Sequence, residues 1–118
     1  METRKTALIT GAAKGIGRQI AYCMAEAGYN VIVNYHSNKV AAEELCREME
    51  KFGVQTMTVY ADMGKVSDIE EMYRQVFEVF PVVDVLVNNA GISSEVYFLD
   101  ATEEMFDQMT AIDWKGVY

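Results

Sequence analysis

Apolar residues in this chain arrive in two alternating patterns. Compact blocks around Leu8-Ile9 and Val31-Ile32-Val33, the stretch before Tyr60, and Val82 to Val87 predict four strands, over residues 5–10, 29–35, 55–60 and 82–87. Between them, apolar residues recur every three or four positions, the spacing that puts them on one face of a helix. Ile16, Ile20, Met24 and Ala27 form one such stripe in a helix from Gly15 to Ala27, which Gly28 stops. Ala42, Leu45, Met49 and Phe52 form a second, with Asn38 placed to cap it and Gly53 to end it. Ile69, Met72, Val76 and Phe80 form a third, in a helix that Pro81 closes. That helix begins at Ser67-Asp68-Ile69-Glu70, which has the form of a capping box. Thr102 then caps a fourth helix striped by Phe106, Met109 and Ile112.

Strands alternating with helices predict a doubly wound α/β fold: a parallel sheet covered on both faces, with strand order 3-2-1-4. The chain's 118 residues suit one such domain, spanning 1–118. With no further strand expected, the fourth strand should leave a bare apolar edge, Val82 to Val87, open to pairing with another molecule. The longest apolar run is broken by Asp84, so no membrane span is expected, and the N-terminus shows no secretory signal. A cytoplasmic protein is therefore expected. The net charge of −8 argues against a nucleic-acid partner, which would require a basic face. Cys23 and Cys46 are far apart and lack metal-ligand spacing; two buried or half-buried thiols are expected, with no metal site.

Chemistry enters at the strand tips. Thr10-Gly11-Ala12-Ala13-Lys14-Gly15-Ile16-Gly17 follows the first strand and opens the first helix. Glycines there permit a sharp turn, close approach to a pyrophosphate and tight helix–strand packing, while the helix terminus offers free N–H groups to an anion. A second turn, Asn88-Asn89-Ala90-Gly91, follows the fourth strand. In the order 3-2-1-4 both turns fall at the switch point where such sheets bind ligands.

These two turns, with Asp62 after the third strand, resemble the short-chain dehydrogenase/reductase family, and the resemblance runs the length of the chain. Gly15-Ile16-Gly17-Arg18 with Asn34-Tyr35-His36-Ser37 is most similar to the family's 3-oxoacyl-carrier-protein reductases; its glucose and other alcohol dehydrogenases read similarly. The resemblance implies that Gly11, Gly15, Ile16 and Gly17 line the pyrophosphate and that Ala13 also belongs to the cofactor site. It further implies that Asp62 and Met63 meet the adenine, Asp62 accepting from its exocyclic amine, and that Asn89, Ala90 and Gly91 run along the ribose and nicotinamide. Asn88 is expected to brace the sheet. The second strand ends in Tyr35, His36 and Ser37 rather than in the carboxylate that binds a ribose 2′-hydroxyl, and Lys14 adds a cation in the glycine turn. That combination favours NADP(H).

The family's catalytic Ser and Tyr-x-x-x-Lys are expected beyond Tyr118, so no catalytic residue is assigned and the chain alone is expected to be inactive. Tyr35 and Lys39 have that spacing only by coincidence. Where the family commonly has an Asn, this chain has Asp113, which when ionised accepts but cannot donate. The implied function is hydride transfer between nicotinamide and a small carbonyl substrate, in a protein that is a homo-oligomer at full length. A non-catalytic nucleotide-binding module, or a truncated remnant of the enzyme, is the alternative.

Overall fold

A computed structural model describes residues 4–89 in full and residues 95–101 as a strand. The element order is β1 (Thr6–Ile9), α1 (Gly15–Glu26), β2 (Asn30–Tyr35), α2 (Lys39–Met49) with a 3-10 turn Glu50–Phe52, β3 (Thr56–Tyr60), α3 (Val66–Val79), β4 (Val83–Asn88) and β5 (Glu95–Ala101). The first four strands are parallel and lie in the expected order, β3-β2-β1-β4. The expected fourth helix, with Thr102, Phe106, Met109 and Ile112, lies outside the described residues, as does Asp113.

Alternation along each strand divides the core in two. Ala7, Ile9, Val31, Val33, Val85 and Val87 pack on one face of the sheet with α1 and α2. Leu8, Ile32, Val59, Val83 and Leu86 pack on the other with α3, whose Ile69, Met72, Val76 and Phe80 are buried as their spacing predicts. Leu45 and Met49 of α2 are fully buried, again as predicted.

Four expectations need correction. The edge of β4 is not bare: β5 pairs antiparallel along it, from Asn88 opposite Glu95 to Val83 opposite Ala101, with an irregularity between Val83 and Val85. Residues 89–94 are too few for a parallel crossover, which takes about a dozen residues or more, so the returning chain meets β4 antiparallel. The α1 stripe is also different. Gly17, Ala21 and Ala25 face the core, whereas Ile16 is 70% exposed, Ile20 and Met24 are half-buried and Ala27 is exposed. A helix lying close on a sheet needs small residues at the contact, and these three recur at four-residue intervals.

The third correction concerns caps. No side chain caps α2 or α3; Asn38 contributes its carbonyl, to the Ala42 N–H at 3.0 Å. Asp68 instead accepts from the Asp62 N–H at 3.0 Å, tying the start of α3 to the turn after β3. Finally, Cys46 is buried but Cys23 is exposed. Burial raises the Cys46 thiol above its ordinary pKa, with the Thr56 hydrogen bond opposing it.

Candidate functional site

The tips of β1 and β4 are locked together by side chains. The Thr10 hydroxyl accepts from the Asn89 N–H at 2.9 Å, and Val87 O and Asn88 Oδ1 both lie 3.4 Å away as acceptors for its proton. Asn89 Nδ2 donates to the Gly11 carbonyl at 3.2 Å. The Asn88 side chain is buried, with Oδ1 facing the Thr10 hydroxyl, a side-chain contact where bonds to backbone were expected.

Asn34, at the end of β2, ties in the third tip. Its Oδ1 accepts from the Gly11 N–H and its backbone carbonyl from the Ala12 N–H, both at 3.0 Å. Its Nδ2 faces the Val59 and Ala61 carbonyls at 3.4 Å. Sequence reasoning gave Asn34 no role in the site. The available signal was a polar residue directly after Val31-Ile32-Val33, in a strand buried on both faces.

The glycines then shape the turn. Gly11 and Gly15 have φ of 61° and 64°, a region that costs other residues about 1–2 kcal/mol. A Cβ on Gly15 would meet nothing within 4 Å. One on Gly17 would strike Asn89 Nδ2 and lie 2.7 Å from the Gly11 carbonyl oxygen, so a side chain there would separate the two tips. Lys14 occupies the N-cap position in an extended conformation and no side chain caps α1, which leaves its first N–H groups open at the cradle. These features fit the phosphates of a dinucleotide: room above Gly15, uncapped donors and a backbone brought close by Gly17.

Ile16 borders this cradle. With Gly15, Gln19, Ile20, Cys23 and Met24 it lines an open apolar groove of about 610 Å³ along the outer side of α1. The Ala13 side chain is buried in the core, so only its backbone can serve a ligand.

The adenosine-side candidates collect at the tips of β2 and β3. Parallel register sets Tyr35 beside Tyr60, with their rings edge to face at 6.0 Å. His36 lies tilted against the Tyr60 ring, also at 6.0 Å, with Nε2 3.8 Å from Asp62 Oδ2. Asp62 Oδ1 accepts from the Gly64 N–H at 2.9 Å, leaving Oδ2 as the oxygen turned to His36. Ser37 is exposed; the Met63 side chain is buried in the second core cluster, leaving its backbone for any ligand. Lys14 is exposed and has no ion-pair partner among the described residues. Tyr60 belongs to this group and was missed, because an aromatic at a strand end reads first as core. Ala90 and Gly91 lie outside the described residues.

The parallel order, the switch point and the glycine-shaped tips define a Rossmann-type fold. The chain belongs to the short chain dehydrogenase family, whose profile matches residues 5–118. It is 42% identical over 114 residues to a 3-oxoacyl-(acyl-carrier-protein) reductase of Staphylococcus epidermidis, covering 97% of this chain and 47% of that protein. Against the reductase of the same name from Staphylococcus aureus it is 39% identical over 118 residues, covering all of this chain and 48% of the relative. Among solved structures, an acetoin dehydrogenase from Salmonella typhimurium superposes with a TM-score of 0.73 and 28% identity, covering 98% of this chain and 48% of that one. A blue fluorescent protein from a metagenomic library, in complex with NADPH, gives 0.71 and 34% identity over 75% of this chain and 36% of its own. The chain spans about half the length of the curated relatives it matches.

Proposed function

We propose that this chain forms the dinucleotide-binding portion of an NADP(H)-dependent oxidoreductase acting on a carbonyl or alcohol, with a 3-oxoacyl thioester as the leading substrate class. The observation that carries the reading is the junction of the β1 and β4 tips: Thr10, Asn89 and Asn34 hold the turn after β1 against the end of β4, at a cradle that lacks a Cβ at Gly15 and has no space for one at Gly17.

In this reading the N–H groups at the start of α1 hold the pyrophosphate, with Gly11, Gly15, Ile16 and Gly17 around it. The backbone of Ala13 lies alongside. Asp62 Oδ2 accepts from the adenine amine, and the Met63 backbone lies beside the ring. Asn89, Ala90 and Gly91 pass the ribose and nicotinamide. Lys14, Tyr35, His36 and Ser37 surround the 2′-phosphate, where no carboxylate stands at the end of β2 to repel it. Bound there, the nicotinamide supplies hydride acceptance or donation. The NADPH complex of the metagenomic protein and the names of the reductase relatives support this choice of cofactor and substrate class.

Fluorescence titration of the chain with NADPH and with NADH tests the proposal. Saturable binding of both, tighter for NADPH, is expected. Failure of both dinucleotides to saturate would remove the reading; equal affinities would remove only the preference.

A further inference from the structure

We propose that Asp68 is a positioning residue for base recognition: from the first turn of α3 it fixes the backbone of Asp62, so that a single carboxylate oxygen is held out to the adenine. The inference rests on the dinucleotide reading above and adds to it a residue that acts through Asp62.

Asp62 is tied at its N–H, its carbonyl and one side-chain oxygen. The N–H donates to Asp68 Oδ2 at 3.0 Å, the carbonyl accepts from the Lys65 N–H at 2.9 Å, and Oδ1 accepts from the Gly64 N–H, also at 2.9 Å. Among the described residues Oδ2 has no hydrogen bond; His36 Nε2 stands 3.8 Å away, beyond hydrogen-bond reach. The ties to Lys65 and Gly64 are local to the turn and move with it. Asp68 differs, because it belongs to α3, whose Ile69, Met72 and Val76 are buried in the second core cluster. Its carboxylate therefore fastens the turn to the core. An acidic side chain in the first turn suits the free N–H groups of its own helix, yet this one bonds six residues back, to Asp62.

Recognition of an amine by one carboxylate oxygen needs that oxygen within about 0.5 Å of its place. Adenine carries an exocyclic amine, a donor. Hypoxanthine carries a carbonyl at that position, which faces the carboxylate as a second acceptor and leaves both without a proton to share. The two bases therefore report where Oδ2 stands. Ribose, 2′-phosphate, pyrophosphate and nicotinamide are common to NADPH and its hypoxanthine analogue and cancel in the ratio of affinities.

The test measures dissociation constants of the chain for these two dinucleotides in the parent, Asp68→Ala, Asp68→Ser, Asp68→Asn and Asp62→Ala, the last also combined with Asp68→Ala. The parent should prefer adenine about 10-fold. Asp68→Ala should cut that preference to about 3-fold, because the oxygen must then be ordered on binding. Asp68→Ser, whose oxygen stops one bond short, should fall likewise. Asp68→Asn keeps an acceptor at the same reach and should retain the parent preference. Once Asp62→Ala has removed the preference, adding Asp68→Ala should change it no further. A loss of helix stability alone would weaken both dinucleotides equally and leave the ratio unmoved. An unchanged ratio in Asp68→Ala and Asp68→Ser overturns the proposal while leaving the adenine contact intact. Absence of preference in the parent overturns the contact of Asp62 and its positioning together; absence of binding to both dinucleotides overturns the dinucleotide reading itself.

Discussion

The two halves of the candidate site are built on different principles. At the β1–β4 junction almost every contact is made by backbone or by a buried side chain holding backbone: Thr10, Asn34, Asn88 and Asn89 leave the turn little freedom. At the tips of β2 and β3 the corresponding groups, His36, Tyr60 and Asp62, are partly solvated and meet at 3.8–6.0 Å. A pyrophosphate is common to every dinucleotide, so a site for it can be fixed in shape. The adenosine end distinguishes one dinucleotide from another and is set by side-chain charge. Lesions at the first tip should therefore cost stability and affect both cofactors alike. Those at the second should leave the fold intact and, apart from the adenine contact of Asp62, alter selectivity.

Gly17→Ala tests the first half most severely. Its Cβ meets Asn89 and the Gly11 carbonyl, parts of the locked junction rather than a flexible side-chain end. A loss of about 3 kcal/mol is expected in urea unfolding, the upper end for overpacking a tight site. Cofactor binding should fall with it. A stability change within error would show that the tips are not locked as described. Asn34→Ala comes next, because it leaves the Gly11 N–H without its acceptor. About 2 kcal/mol is expected for that orphaned, part-buried donor. NADPH and NADH affinities should weaken by the same factor; selective loss of one would mean that Asn34 belongs to the adenosine end.

The same division explains what could be read from the sequence. The parallel order and the glycine turn after β1 were legible because glycine spacing and apolar blocks report backbone demands directly. The face of α1 was misread: hydrophobic size pointed to Ile16, Ile20 and Met24, while closeness to the sheet required Gly17, Ala21 and Ala25. Residue hydrophobicity carries no information about how near two elements must come. The capping box failed because α3 begins at Val66 with Lys65 at its N-cap, which puts Ser67 inside the first turn rather than at the cap. The β5 strand was not legible because its pairing answers the open edge of β4, a tertiary demand that lies outside residues 95–101 themselves. At the candidate site, Asn34 and Tyr60 were not legible, since their places depend on neighbouring strands.

Gly15→Ala separates shape from stability within the rigid half. With nothing within 4 Å, its Cβ causes no clash, so the expected destabilisation is only the left-handed backbone term, about 1 kcal/mol. Yet the methyl projects where the pyrophosphate is proposed to lie. Both cofactors should lose about 10-fold or more in affinity, well beyond what the small stability change implies. Retained affinity would move the phosphates away from the α1 terminus.

Lys14→Glu makes the smallest change to the fold and the sharpest test of the division. Lys14 is exposed and has no ion pair among the described residues, so unfolding should shift by less than about 0.5 kcal/mol. Although it sits in the glycine turn, its charge is assigned to the flexible, selective half of the site. Reversing that charge beside an exposed phosphate exchanges a weak attraction for a comparable repulsion, so NADPH should bind about 10-fold more weakly. NADH lacks the 2′-phosphate and should lose much less, about 2-fold, through the more distant pyrophosphate. Equal losses would place Lys14 on the pyrophosphate and shift the boundary between the two halves by one side chain. With Lys14 removed from the selective end, the preference for the phosphorylated cofactor would then rest on Tyr35, His36, Ser37 and the missing carboxylate.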